Sequence, residues 1–244
     1  MVTDRNVPPL SRVGATLSRE RDLVAARVGP TDVLTTWRIW MHAFFRELAE
    51  QRWDDHRYYH QHRVNQSLHF FSACCFLASY GLLFVSPAAA VLLGWLVAWV
   101  SRQLGHFFFE PQGFDAVNGV TYDYKESVKV GYNIQRKIVL LAVWLSSPVL
   151  LWLSPSLWGL VNPHSDAVTL LNNVGLLWLF VAAGALLFRT VQLFVVRDVR
   201  TGLAWFVKIL TDPLHDIRLY YKAPVYVLRG ELLDPIHAEA PQQV

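Results

Sequence analysis

The sequence predicts an all-α, polytopic membrane protein with four transmembrane helices, amphipathic helices at the membrane surface and both termini in the cytoplasm. Three observations carry this prediction. The 244-residue chain is 53% hydrophobic and only 17% charged, against about 25% charged in an average soluble domain. The apolar residues are grouped: Leu68 to Ser101 holds no Asp, Glu, Lys or Arg, and Ile138 to Phe188 holds only Asp166. Each block has room for two spans, since a transmembrane helix needs about 20 mostly apolar residues. The spans fall at about 68–85, 88–104, 138–153 and 168–188. Lys and Arg are grouped too. They precede the first span (Arg52, Arg57, Arg63), lie between the second and third (Arg102 to Lys137) and follow the fourth (Arg189 onward). The turn at Ser86-Pro87 and the loop from Ser154 to Ala167 hold none. Positive residues stay on the cytoplasmic side, so four spans with both ends inside satisfy that rule at every segment.

Residues 1–30 read as a flexible tail with Pro8, Pro9, scattered charges and no sustained apolar face. Their opening, MVTDRNVPPLSR, lacks the apolar core of a cleaved signal, so the first span is expected to remain in the membrane. A single helical membrane domain is expected over 31–235, and 236–244 as a second flexible tail. Pro30-Thr31-Asp32 offers a helix start. From Val33 to Ala49 the residues Trp37, Trp40, Met41, Phe44, Phe45 and Leu48 recur at spacings of three and four, the mark of one helical face. This is an amphipathic helix that lies on the membrane or packs on the bundle. Adjacent Cys74 and Cys75 point in different directions on a helix and serve as small packing residues. The helix of span two is expected to continue through Arg102–Phe109. The segment from Glu110 to Lys137 is too long for a simple connector and is a candidate functional loop. Pro148 should kink span three. Asn172 and Asn173 are expected to hydrogen-bond between helices. Thr190–Leu210 mixes charges with apolar residues as an interfacial helix does, and 211–235 is expected to wrap the cytoplasmic face. There is no internal repeat, no glycine-rich phosphate loop, and no basic, aromatic surface of the kind that binds nucleic acid.

The chemistry-bearing residues are histidines. Seven of the nine fall within the expected membrane domain on its cytoplasmic side: His42, His56, His60, His62, His69, His106 and His215; His237 is in the tail, and only His164 lies on the outer loop. His69 opens span one and His106 closes span two, so an antiparallel pair of helices joined at Ser86-Pro87 brings them to one membrane depth. Asn65 lies four residues before His69, and Gln103 and Glu110 flank His106 at three before and four after, each on the same helical face. A metal-bound imidazole donates its other N–H to a carboxylate, carbonyl or water, and Asn65, Gln103 and Glu110 suit that work. Glu110 could also ligate directly. Helical geometry sets a condition. His60 and His69 are nine residues apart, about 13.5 Å of rise in an unbroken helix, on opposite faces. Either the chain bends between Tyr59 and Ser67, or not all these histidines are ligands. His56 and His60 have the i, i+4 spacing that can hold a metal on one helix. The competing reading is a row of interfacial histidines beside Tyr58, Tyr59 and Trp53.

Two motifs at these residues resemble a known family. Tyr59-His60, Asn65 and His69 match the first, and Gln103-Leu104-Gly105-His106 with Phe109-Glu110 match the second. The chain resembles the membrane 2-hydroxy fatty acid dioxygenases, iron-dependent α-oxidation enzymes of fungal phytosphingosine degradation, and their bacterial relatives. The resemblance covers about 60 residues, from Tyr59 to about Asn118. It departs from the pattern at Ser72 and Cys74, where the family carries Gly and Pro. It implies that His60, His69 and His106, with His62 as a fourth, ligate Fe(II). It also implies that O₂ is co-substrate and that a 2-hydroxy fatty acid is cleaved to an acid one carbon shorter. Tyr59, Asn65, Gln103 and Glu110 would support the ligands, and Arg102 or Lys125 would meet the substrate carboxylate. The acyl tail would lie among the spans.

Two other readings of the same residues stand beside this one. A di-iron lipid hydroxylase or desaturase-like enzyme would need further histidines, which His42, His56, His62 and His215 could supply. A non-enzymatic scaffold or small transport component would need no metal at all. The spans hold no ionisable residue at mid-membrane, which argues against ion-coupled transport.

Overall fold

A computed structural model describes residues 33–110 and 113–235. The expected tails and the Pro30-Thr31-Asp32 helix start lie outside the described residues. Contacts divide the chain at Ala43–Phe44. Of the first unit the structure describes the opening turns of α1 (Val33–Tyr59), where Trp37 and Trp40 stack with centroids 5.7 Å apart. Everything below concerns the second unit.

The described residues are all helical apart from loops and two isolated β-bridges. After α1 come α2 (Arg63–Leu82) and α3 (Pro87–Phe109), joined by a tight turn that Ser86 caps. α4 (Tyr122–Val128) sits in the connecting segment. α5 (Ile134–Ser146) and α6 (Val149–Leu153) are one apolar stretch broken at Ser147-Pro148, as expected for a proline that removes a backbone donor. α7 (Ala167–Val196), α8 (Val199–Tyr220) and α9 (Ala223–Leu228) complete the chain.

Three described helical stretches are long and apolar enough to cross a membrane: α3, Gln135–Leu153 and α7. α2 is not among them. Arg63, Asn65, Gln66, His69 and Ser72 occupy its first turns and are buried. The first expected span is therefore a polar-faced helix held by its neighbours. Ser72 and Ser79 donate to the carbonyls of Ala98 and Ala90 on α3, each at 2.6 Å. The expectation for Thr190–Leu210 is corrected. α7 runs on to Val196, and Asp198 caps a new helix that continues past Leu210 to Tyr220. Asp198 accepts from Thr201 N, which satisfies one of the amide donors that a helix start leaves free. Asn173 bonds the Asn162 carbonyl in the preceding loop rather than a neighbouring helix.

α2 packs between α3 and α8, and α7 packs on both α3 and α8. The apolar core lies at the Pro87 end of α3. Trp95 and Trp144 stack 4.9 Å apart, Trp178 closes the group, and the Trp95 indole donates to the Trp178 carbonyl. α7 reaches α3 closely because Gly175 has no side chain: a Cβ there would stand 2.8 Å from the Ala88 backbone. Residues Leu93–Trp99 of α3 form a π-helical turn, a feature often found at functional sites.

Candidate metal centre

The chain breaks where the histidines require it. α1 ends at Tyr59, residues 60–62 are not helical, and α2 begins at Arg63. A helix end leaves carbonyls without partners, and the next turn of sequence supplies them. The Asn65 amide donates to the Tyr59 carbonyl at 2.7 Å, and the Gln66 amide donates to the His60 carbonyl at 2.8 Å. The far end of the chain straps the bend. Arg63 N donates to the Leu232 carbonyl, Asp234 N donates to the Gln61 carbonyl, and the Asp234 carboxylate accepts from Arg63 and Gln66. Asn65, expected beside the metal ligands, thus acts by holding the bend that positions His60.

The bend folds His60 back onto α2, where the His60 and His69 Nε2 atoms stand 3.1 Å apart. His106 on α3 completes a trio whose ligand atoms all lie within 4.8 Å of one another. Among the described residues this is the one such group, and His56, His62 and His215 are not part of it. His60 and His69 are each 2% exposed, and His106 is half-buried. Gly105 makes the close approach of α3 possible. A Cβ there would stand 2.0 Å from the Asn65 side-chain oxygen, so the motif glycine lets α3 lie against the bend.

Each Nδ1 of the trio faces an oxygen. His60 Nδ1 lies 2.8 Å from the Asp55 carbonyl, His106 Nδ1 2.8 Å from Glu110, and His69 Nδ1 3.5 Å from Asp216. Those acceptors favour the tautomer with the proton on Nδ1, which turns the Nε2 lone pairs toward one another. Lone pairs at that separation repel unless a cation or proton lies between them. Two imidazole nitrogens each about 2.1 Å from one ion and at right angles to each other stand about 3 Å apart, so the observed spacing fits one transition-metal ion. Burial, aided by the neighbouring His69, pushes the His60 imidazole down to about 3. It is neutral at physiological pH, the state in which imidazole ligates metal.

Charged and aromatic groups on α8 complete the surroundings. Asp216 faces His69 and pairs with Arg102. Lys208 bridges Asp55 and Asp212 at 2.9 and 2.8 Å. The Tyr220 ring lies 5.8 Å from His60 and 6.3 Å from His69 by centroids, and its hydroxyl is 3.1 Å from His56 Nδ1. Burial first, then Asp216 and Asp55, raises the Tyr220 phenol well above its usual range. It stays protonated, itself buried beside His60 and His69.

A cavity of about 420 Å³ opens from His69 and His106 and runs between α2, α3 and α7 past Phe76, Gly94, Trp95 and Leu179. Its head end carries charges and imidazoles, and its far end is apolar.

The other expected residues divide. Tyr59 is buried and donates its hydroxyl to the Lys125 carbonyl at 2.7 Å. Gln103 lies on the cavity wall, its side-chain oxygen buried without a hydrogen-bond partner. His62 caps α2 by accepting from Val64 N and lies tilted against Phe109 with centroids 4.9 Å apart. Arg102 reaches the cavity but is paired with Asp216, whereas fully buried Lys125 lies 3.8 Å from Asp115 and off the cavity wall. Asp216, Tyr220 and Lys208 were not legible from sequence spacing, because they lie on α8, far along the chain from the motifs they serve; Asp55, on α1, meets His60 through its backbone carbonyl, which residue type does not mark.

Residues 45–114 match the family model described as 2-hydroxy-palmitic acid dioxygenase Mpo1-like. The match covers less than a third of the chain and supports the resemblance carried by the two histidine motifs. The Mpo1-like segment contains all three histidines of the trio together with Glu110, whereas α7 and α8 lie outside it. No curated protein and no solved structure matches the chain.

Proposed function

We propose that the chain is an integral membrane Fe(II) dioxygenase that cleaves 2-hydroxy fatty acids to acids one carbon shorter. The observation that carries this reading is the trio of neutral imidazoles, two of them buried and one half-buried, at the polar head of a cavity with an apolar far end. His60, His69 and His106 would hold the ion, with Glu110, Asp216 and the Asp55 carbonyl fixing their orientation. Iron held by three imidazoles with open positions supplies O₂ activation. The remaining work belongs to the chain. The apolar walls receive the acyl tail and exclude water, and Tyr220 closes the trio from the other side. One 2-hydroxy acid and one O₂ balance to the shortened acid, carbon dioxide and water, so no external reductant is required.

Four-span insertion with both termini and the site on the cytoplasmic side is part of the proposal, and it rests on the distribution of Lys and Arg. α2 would then span as a polar-faced helix shielded by α3 and α8. The single three-imidazole group among the described residues favours one ion over a di-iron centre.

The test is anaerobic purification, metal quantification and incubation with 2-hydroxy palmitate and O₂. About one iron per chain and formation of the fifteen-carbon acid are expected. Protein prepared without chelators that carries no transition metal sinks the proposal.

A further inference from the structure

The cavity head holds four cations, and three of them are already matched. Arg102 pairs with Asp216. Lys208 bridges Asp55 and Asp212. Lys129 pairs with Glu126 at 3.1 Å, approaches Glu110 at 3.9 Å, and lies 3.7 Å over the Tyr59 ring. The acids are matched as well, since Asp54 is bound by Arg57. Lys137 differs. Among the described residues its ammonium makes no hydrogen bond or ion pair, although the residue is half-buried at the start of an apolar helix. It lines the main cavity and also a small adjoining pocket of about 20 Å³, and His106 and Lys129 lie on both walls with it.

A half-buried ammonium without a counter-charge is costly unless something pairs with it. The cavity it lines suits an amphiphile with an anionic head and an apolar tail. We propose that Lys137 is the anchor for the substrate carboxylate, fixing the acid's head beside His106 while the tail extends past Gly94 toward Leu179. The assignment replaces Arg102 and Lys125, whose charges are committed elsewhere. It rests on the reading of the cavity as a fatty-acid site.

The test is equilibrium binding to the full, metal-free chain in neutral detergent, with two probes. One is 2-hydroxy palmitate and the other is hexadecane-1,2-diol, which has the same tail and hydroxyl but no carboxylate. Wild type should prefer the acid by on the order of 10- to 100-fold, the range of a charge-assisted hydrogen bond. Lys137→Met should lose that preference while binding the diol unchanged, and Lys137→Arg should retain most of it. Lys137→Gln serves if the Met variant loses helical content. Retention of the acid preference in Lys137→Met and Lys137→Gln overturns the anchor and leaves the fatty-acid reading standing, as does wild type that binds acid and diol equally. Wild type that binds neither probe overturns the reading of the cavity, and the anchor with it.

Discussion

Around Val91 and Trp95, α3 meets its neighbours through stacked indoles and the bare backbone of Gly175. Two turns further on, from Arg102 to Glu110, the same helix meets them through imidazoles, an ion pair and the Gly105–Asn65 approach. The two ends are held by different forces. At the apolar end, packing and the surrounding medium do the work, and Gln135–Leu153 and α7 leave most of their apolar surface facing outward. At the polar end nearly every group is tied to a named partner, and the geometry of the trio depends on those ties. Damage at one end should therefore cost stability, and damage at the other should cost metal.

The largest expected effect is at the trio itself. His69→Ala or His106→Ala should abolish metal binding while circular dichroism shows unchanged helix content. Metal retained in both variants would remove these histidines from the site. At the apolar end, Gly175→Val drives a side chain into the backbone of Ala88. It should cost several kcal/mol, at or beyond the usual range for overpacking of about 1–3 kcal/mol, while the folded fraction keeps its metal. Gly105→Val should reverse that pattern. Its side chain meets the end of Asn65, so the stability loss stays at about 1–3 kcal/mol, but the bend shifts and metal content falls. Equal metal loss in the two glycine variants would mean that the ends are not separable.

Smaller effects come from titration and from the strap. His60 has a folded value near 3 against an ordinary value of 6.5. Between those values the unfolded chain takes up a proton that the folded chain refuses. The stability of the metal-free protein should be greatest above about pH 6.5 and fall as the pH drops toward 3, by at most about 1.4 kcal/mol per pH unit from this group. Denaturation of wild type and His60→Asn across that range reads the difference, and identical profiles would exclude His60 as the cause. Asp234→Ala removes the acceptor for Arg63 and Gln66. It should cost about 1 kcal/mol and weaken metal affinity more than Gly175→Val does.

Much of the polar end was legible in the sequence because it is written in local spacing. The four-residue step from His106 to Glu110 fixes one helical face, and the turn at Ser86-Pro87 returns α3 to the level of His69. The bend was legible as a condition, since nine residues of unbroken helix cannot bring His60 to His69. What supplies the bend was not legible. Asn65 read as a support for His69 on the same helical face, and only the structure shows its amide and that of Gln66 satisfying the carbonyls freed at the end of α1. The contributions of α8 were hidden for a different reason. Lys208 looked like part of an interfacial helix, Asp212 and Asp216 fell in the segment expected to wrap the cytoplasmic face, and nothing in a single sequence marks which buried charges will meet. The same blindness made Lys125 and Arg102 look available as carboxylate partners. The apolar end was readable in location, and three of the four expected spans are long and apolar enough to cross a membrane, whereas the buried polar face of α2 is something composition does not reveal.

The strap at the bend also has a consequence in time. Arg63 and Asp234 are separated by 171 positions, so a chain emerging from the ribosome makes the His60–His69 turn long before it makes the segment that secures it. α2, α3, the stretch from Gln135 to Leu153, and α7 are all synthesised in between. Long-range contacts of this kind form late. The bend that carries His60 is thus secured only after the helices around it are made, and a half-made chain holds its histidines in a bend without its clasp.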